Sequence, residues 1–93
     1  MANNIVRKHI IFKGWVQGVG FRYRASNAAE LYGVSGWVRN EFDGSVSMEI
    51  QGTHQQILDV ITAIKRGSYI RIADMDMKTT SVIPDERGFR VKY

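Results

Sequence analysis

Apolar and polar side chains alternate along this chain in short stretches whose period switches between two and about 3.6. Val6 to Lys13 has the period of a strand. Lys8, Ile10 and Phe12 share one face, and Arg7, His9, Ile11 and Lys13 share the other. Apolar residues on both faces predict a strand near the middle of a sheet, with one face covered by helices. From Phe21 the period lengthens: Phe21, Ala25, Ala28 and Leu31 with Tyr32 form a helical stripe. Gly33 is placed to stop that helix in the left-handed conformation. Val34 to Asn40, rich in Val and Trp, predicts a second strand, and Phe42-Asp43-Gly44 supplies turn chemistry. In Ser45 to Gln51, Val46, Met48 and Ile50 point inward and Ser47 and Glu49 outward, so the second and third strands form a hairpin.

Thr53-His54-Gln55-Gln56 has the form of a capping box, in which a hydroxyl and an amide satisfy the first free N–H groups reciprocally. Ile57, Val60, Ile61 and Ile64 then make an apolar stripe, with Lys65 and Arg66 in the last turn, where cations suit the dipole. Gly67 is expected to end this second helix. Ser68 to Thr80 carries two phases, Ile70 with Ile72 and Ala73 with Met75 and Met77. A bulge or short turn near Arg71 to Asp74, followed by a strand to Thr80, reconciles them. Pro84 to Gly88 reads as a loop, and Phe89 and Val91, alternating with Arg90 and Lys92, as a last strand. The order is β-α-β-β-α-β with one strand added. It predicts a ferredoxin-like α+β sandwich: an antiparallel sheet of four to five strands, with both helices on one face and the first strand central beside the third.

Size narrows the picture to one domain over residues 1–93, because 93 residues leave no room for two cores. The chain has no cysteine, which removes disulfides and thiolate metal sites and fits a reducing compartment. The first residues lack the apolar core of a signal peptide and no run approaches membrane-spanning length, so a cytoplasmic protein is expected. A net charge of +4 favours anionic partners, from small phosphates to nucleic acid, though a soluble basic surface accounts for it equally well.

Candidate chemistry centres on Gly14-Trp15-Val16-Gln17-Gly18-Val19-Gly20-Phe21-Arg22, between the first strand and the first helix. Its glycines permit positive φ, so the backbone can curl. A curled loop entering a helix aims several unpartnered N–H groups at one point, where the dipole adds positive potential. Arg22, in the first turn, has a planar fork that grips two phosphate oxygens. A cation there opposes the dipole at a cost of roughly 0.3–1 kcal/mol, a sign that a bound anion would reverse. These residues point to an oxyanion or phosphate cradle, while the same glycines also suit a tight connection with no ligand. The loop lacks the Gly-Lys-Ser/Thr ending of the longer phosphate loop and the acidic residue that follows a dinucleotide loop. Asn40, ending Gly36-Trp37-Val38-Arg39-Asn40, is either a turn residue or an amide that orients water, and spacing does not choose between these. His9 and His54 show no metal-ligand spacing, and neither a serine–histidine pattern nor a catalytic carboxylate pair can be read. Trp15, Trp37, Tyr23 and Tyr32 can stack on bases but equally serve as core or rim.

Taken together, the glycine loop, Gly36 to Asn40 and the Asp43-Gly44-Ser45-Val46 that follows resemble the acylphosphatases. Those enzymes share Gly-x-Val-Gln-Gly-Val-x-Phe-Arg and then Gly-Trp-Val-x-Asn, and both patterns are present here in the same order and separation. The resemblance extends to Gln51-Gly52 and to the ending Phe89, Val91 and Tyr93, and is loose between Ser68 and Arg87. It implies a metal-free, cofactor-free hydrolase that splits an acyl phosphate into carboxylate and phosphate. Carried over by position, Gln17, Gly18, Val19, Gly20 and Phe21 supply the loop that cradles inorganic phosphate or a similar anion. Arg22 then anchors the phosphate and Asn40 holds the attacking water. A monomer acting on a small molecule, with no membrane and no nucleic-acid partner, is expected. The alternative is a non-catalytic ferredoxin-like module that binds RNA or a small anion; the first strand offers Phe12 but no RNA-binding signature.

Overall fold

The computed structural model describes residues 4–93. Its elements are β1 (Ile5–Trp15), α1 (Phe21–Tyr32), β2 (Ser35–Asn40), β3 (Val46–Thr53), α2 (His54–Lys65), β4 (Arg71–Thr80) and β5 (Phe89–Lys92). One five-stranded sheet has the order β4-β1-β3-β2-β5, with β1 between β4 and β3 as its sequence pattern requires. Both helices pack on the face that carries Ile10, Phe12, Val38, Val46, Met48 and Ile50. This is the ferredoxin-like sandwich. Phe12 and Phe21, with ring centroids 4.8 Å apart, pin the start of α1 against the middle of β1.

Several expectations need correction. The sheet is mixed rather than wholly antiparallel, because β5 pairs in parallel with β2. β4 runs antiparallel to β1 and lies at one edge; the chain then crosses to the other edge and returns, which aligns β5 with β1 and β2. Leu31 is not in the core but 75% exposed, and Ala29 is buried instead. At about 100° per residue, Leu31 stands about 80° around the helix from Phe21, while Tyr32 returns to within about 20°. Gly33 does stop α1 in the left-handed conformation, with φ 74°. α2 ends differently: Arg66 caps it at φ −77° and Gly67 has no positive φ. Gly67 serves packing, since Ile70 and Arg24 lie where its side chain would be. The two phases after Ser68 are reconciled as expected, by a register shift. Lys13 pairs with Asp74 and Gly14 with Ile72, leaving Ala73 as the extra residue. Because β4 starts at Arg71 rather than near Asp74, β1 is extended through Gly14 and Trp15.

The capping box is present in full. Thr53 Oγ1 accepts from the Gln56 N–H, and Gln56 Oε1 accepts from the Thr53 N–H.

The open face of the sheet is strapped by the crossing between β4 and β5. Arg7 is 1% exposed there. Its Nε donates to Glu49 at 2.7 Å and its Nη1 to Glu86 at 2.6 Å and Gln51 at 3.1 Å. Gln51 in turn bonds both backbone groups of Ile83. A buried guanidinium thus holds residues 83–86 down and delivers β5 to the far edge. Burial alone would raise the Glu49 and Glu86 carboxyls, but hydrogen bonds and charge from Arg7 outweigh it and hold both below their ordinary value of 4.5. A lowered folded pKa contributes stability that is complete above the unfolded value and is lost as pH falls through the folded one. Urea midpoints should therefore decline below about pH 4.5, and Glu86→Gln should make that decline shallower. Equal slopes for the two proteins would show that the strap does not govern acid stability.

Candidate active site

α1 begins without a side-chain cap. Gly20 occupies the N-cap at φ 82° and ψ 16°, and no acidic residue lies in the first turn. Gly18 also has a positive φ, of 73°, so the backbone curls twice before the helix starts. The first helical bond runs from Arg24 N–H to Gly20 O at 3.0 Å. The amides just before Arg24 precede the ladder and donate to no backbone carbonyl among the described residues. The contrast with the closed capping box of α2 is one of residue type: glycine offers no oxygen where threonine does.

A cavity of about 440 Å³ opens at this helix start, lined by Gly18, Gly20, Phe21, Arg22, Asn40 and Tyr93 among others. Arg22 is half-buried and ion-pairs with no carboxylate among the described residues. Its guanidinium lies 5.1 Å from the centroid of the Tyr93 ring, which steadies the fork without neutralising it. Asn40 reaches the same cavity from the end of β2. Its Oδ1 is buried and accepts no hydrogen bond from any described residue. A buried carbonyl oxygen left so is costly, and a donor held in the cavity would satisfy it.

Gln17 fixes the loop relative to Asn40. Its Nε2 donates to Glu41 O at 2.7 Å and to Ser45 O at 2.9 Å, the two carbonyls that bracket the β2–β3 turn. That turn is closed by Asp43, whose Oδ1 accepts from the Ser45 N–H at 3.0 Å and hydroxyl at 2.6 Å. The loop after β1 and the strand end that carries Asn40 are thereby joined side by side. Gly36 allows β2 to lie close enough to β3, because a Cβ there would overlap the carbonyl of Glu49.

A family profile for acylphosphatase matches residues 8–91. The chain belongs to the acylphosphatase family. It is 36% identical over 89 residues to an acylphosphatase of Bacillus pumilus, covering 95% of this chain and 99% of that one. It is 39% identical over 88 residues to an acylphosphatase of Geobacillus thermodenitrificans, covering 94% of each. The crystal structure of acylphosphatase from Bacillus subtilis superposes with a TM-score of 0.86 at 29% identity, covering 95% of this chain and 99% of that one. Acylphosphatases are hydrolases that act on acid anhydrides, and this chain is one by descent and by fold.

Within this acylphosphatase fold, all the residues singled out from Gln17 to Arg22 lie at one strand-to-helix junction, and Asn40 faces it. Two contributions were not foreseen. Gln17 was expected to lend a backbone amide; its side chain in addition clamps the loop to the turn. Tyr93 was read only as the end of a pattern; nothing local to it signals that β5 would bring its ring over Arg22. The histidines lie elsewhere. His9 Nδ1 is 2.9 Å from Glu49 on the strapped face, and His54 is exposed at the start of α2. Glu41 also stays out of the cavity lining. It accepts from Ser47 and from Arg39, and these bonds hold its carboxyl below the ordinary range.

Proposed function

We propose that this acylphosphatase-family chain hydrolyses small acyl phosphates at the cavity between the Gln17–Arg22 loop and Asn40. The observation that carries the reading is the meeting of three unlike groups in one cavity: loop amides, a guanidinium and a buried amide oxygen that find no backbone acceptor, carboxylate or donor, respectively, among the described residues. The amides and Arg22 suit a doubly charged phosphoryl group. Asn40 Oδ1 suits a water molecule, accepting a hydrogen bond from one of its O–H groups and so turning an oxygen lone pair toward phosphorus.

The chemistry asks little more of the protein. Water oxygen bonds to phosphorus as the bond from phosphorus to the acyl oxygen breaks, and that bond's electron pair leaves with the carboxylate. The acid of that leaving group has a pKa of about 4, so it departs without a general acid. The water's proton passes to a phosphoryl oxygen, giving carboxylate and dihydrogen phosphate. Positioning and charge stabilisation carry the catalysis. The positive charge comes from the chain's own donors, so we expect activity without added metal.

The test is hydrolysis of benzoyl phosphate by purified protein in the presence of a chelator, with inorganic phosphate added as inhibitor. Turnover that persists in chelator and is inhibited competitively by phosphate is expected. A protein with no turnover that instead shifts RNA in a salt-dependent manner would favour the binding-module alternative.

A further inference from the structure

The loop after β1 is flanked by two different surfaces, because β1 lies between β4 on one side and β3, then β2, on the other. Asn40 stands on the β2 side. On the β4 side Trp15 pairs in register with Arg71, and Tyr69 lies just before that strand. A second cavity of about 460 Å³ opens there, lined by Trp15, Gly18, Val19, Gly20, Tyr69 and Arg71. Gly18 and Gly20 line both cavities, and a Cβ on either would meet no atom within 4 Å. The ridge between the two cavities is therefore bare backbone. Trp15 and Tyr69 are each 75% exposed. A single exposed aromatic is unremarkable on any surface, but two that line one groove beside the Arg22 cavity, with Gly18 and Gly20 common to both, can form a stacking platform.

Displacement at phosphorus runs in line, with the entering oxygen opposite the leaving one. With water held at Asn40, the leaving carboxylate points away from β2 and across the bare ridge. We infer that the acyl group of the substrate lies in the groove between Trp15 and Tyr69, and that the site favours aromatic acyl groups over short aliphatic ones. This rests on the proposed hydrolysis at Arg22 and Asn40. It adds a substrate class, and it makes Trp15 and Tyr69 determinants of specificity with no part in the bond-breaking step.

The experiment compares benzoyl phosphate with acetyl phosphate for wild type, Trp15→Ala and Tyr69→Ser. Loss of one stacking ring should raise KM for benzoyl phosphate about two- to twelve-fold, with kcat little changed. Acetyl phosphate, whose methyl group offers no face to stack on a ring, should keep its KM and kcat in both variants. The two substitutions lie on different segments, so a folding defect in one leaves the other to report. If wild type hydrolyses both substrates and neither variant changes their ratio, the groove does not hold the acyl group and the inference falls alone. If wild type hydrolyses neither, the reaction proposed for the site falls, and this inference with it.

Discussion

Arg22→Ala should lower kcat/KM for an acyl phosphate by about 10³- to 10⁵-fold, the range seen when an arginine that neutralises a transferring phosphoryl group is removed. The size of the effect follows from isolation. Arg22 is the one charged side chain among the described residues that line the cavity, so no second cation within it shares the charge of the anion. The loss should appear in binding as well as rate, with competitive inhibition by inorganic phosphate weakened in parallel. Arg22→Lys should recover only part of the activity, because an ammonium restores charge but not the two-pronged geometry. Stability should move the other way. A cation in the first turn of α1 opposes the helix dipole, so the alanine protein should be more stable by about 0.3–1 kcal/mol in urea unfolding. An alanine variant with wild-type kcat/KM and wild-type phosphate inhibition would remove Arg22 from the site.

Asn40→Ala should lower kcat by about 10²- to 10³-fold, the loss typical of removing one preorganised polar group from an active site. Here the pattern separates the two roles: KM and phosphate inhibition should stay near wild type, because the proposed site holds the anion by the loop and Arg22 rather than by Asn40. Unfolding again supplies an independent readout. The Asn40 Oδ1 is buried without a donor from any described residue. Its removal should not destabilise the fold and should relieve up to about 1–3 kcal/mol of desolvation cost. A variant that turns over as fast as wild type, or that loses phosphate inhibition together with rate, would refute the water-holding role.

On the proposed reading, Arg22 and Asn40 are groups kept at some cost to stability for what they do in the cavity. The uncapped, glycine-led start of α1 belongs with them, since a threonine cap of the kind that closes α2 would take up N–H groups that the proposed site offers to an anion. Gln17 and Asp43 offset this looseness by tying the loop to a closed turn, which keeps the open amides and Asn40 in fixed relation.

What the sequence determined by itself was whatever depends on neighbours along the chain. The capping box at Thr53, the left-handed stop at Gly33, the alternation in β3 and the curl at Gly18 and Gly20 are local conformational preferences, and each is present in the fold. Burial was already less local. Leu31 and Ala29 exchange places because a stripe read from composition is broader than the line along which α1 meets the sheet. The choice between a turn asparagine and a water-holding one at position 40 lay beyond spacing altogether, since it depends on what faces the residue across β1, β3 and β2. The same holds for the burial of Arg7 by Glu49, Gln51 and Glu86, for the parallel seat of β5 and for Tyr93 over Arg22. Each joins segments distant in the chain, and the free energy that selects it arises only when those segments are packed together. Local sequence sets which conformations a segment can adopt, and tertiary packing sets which charges and orphaned polar atoms end up facing one another.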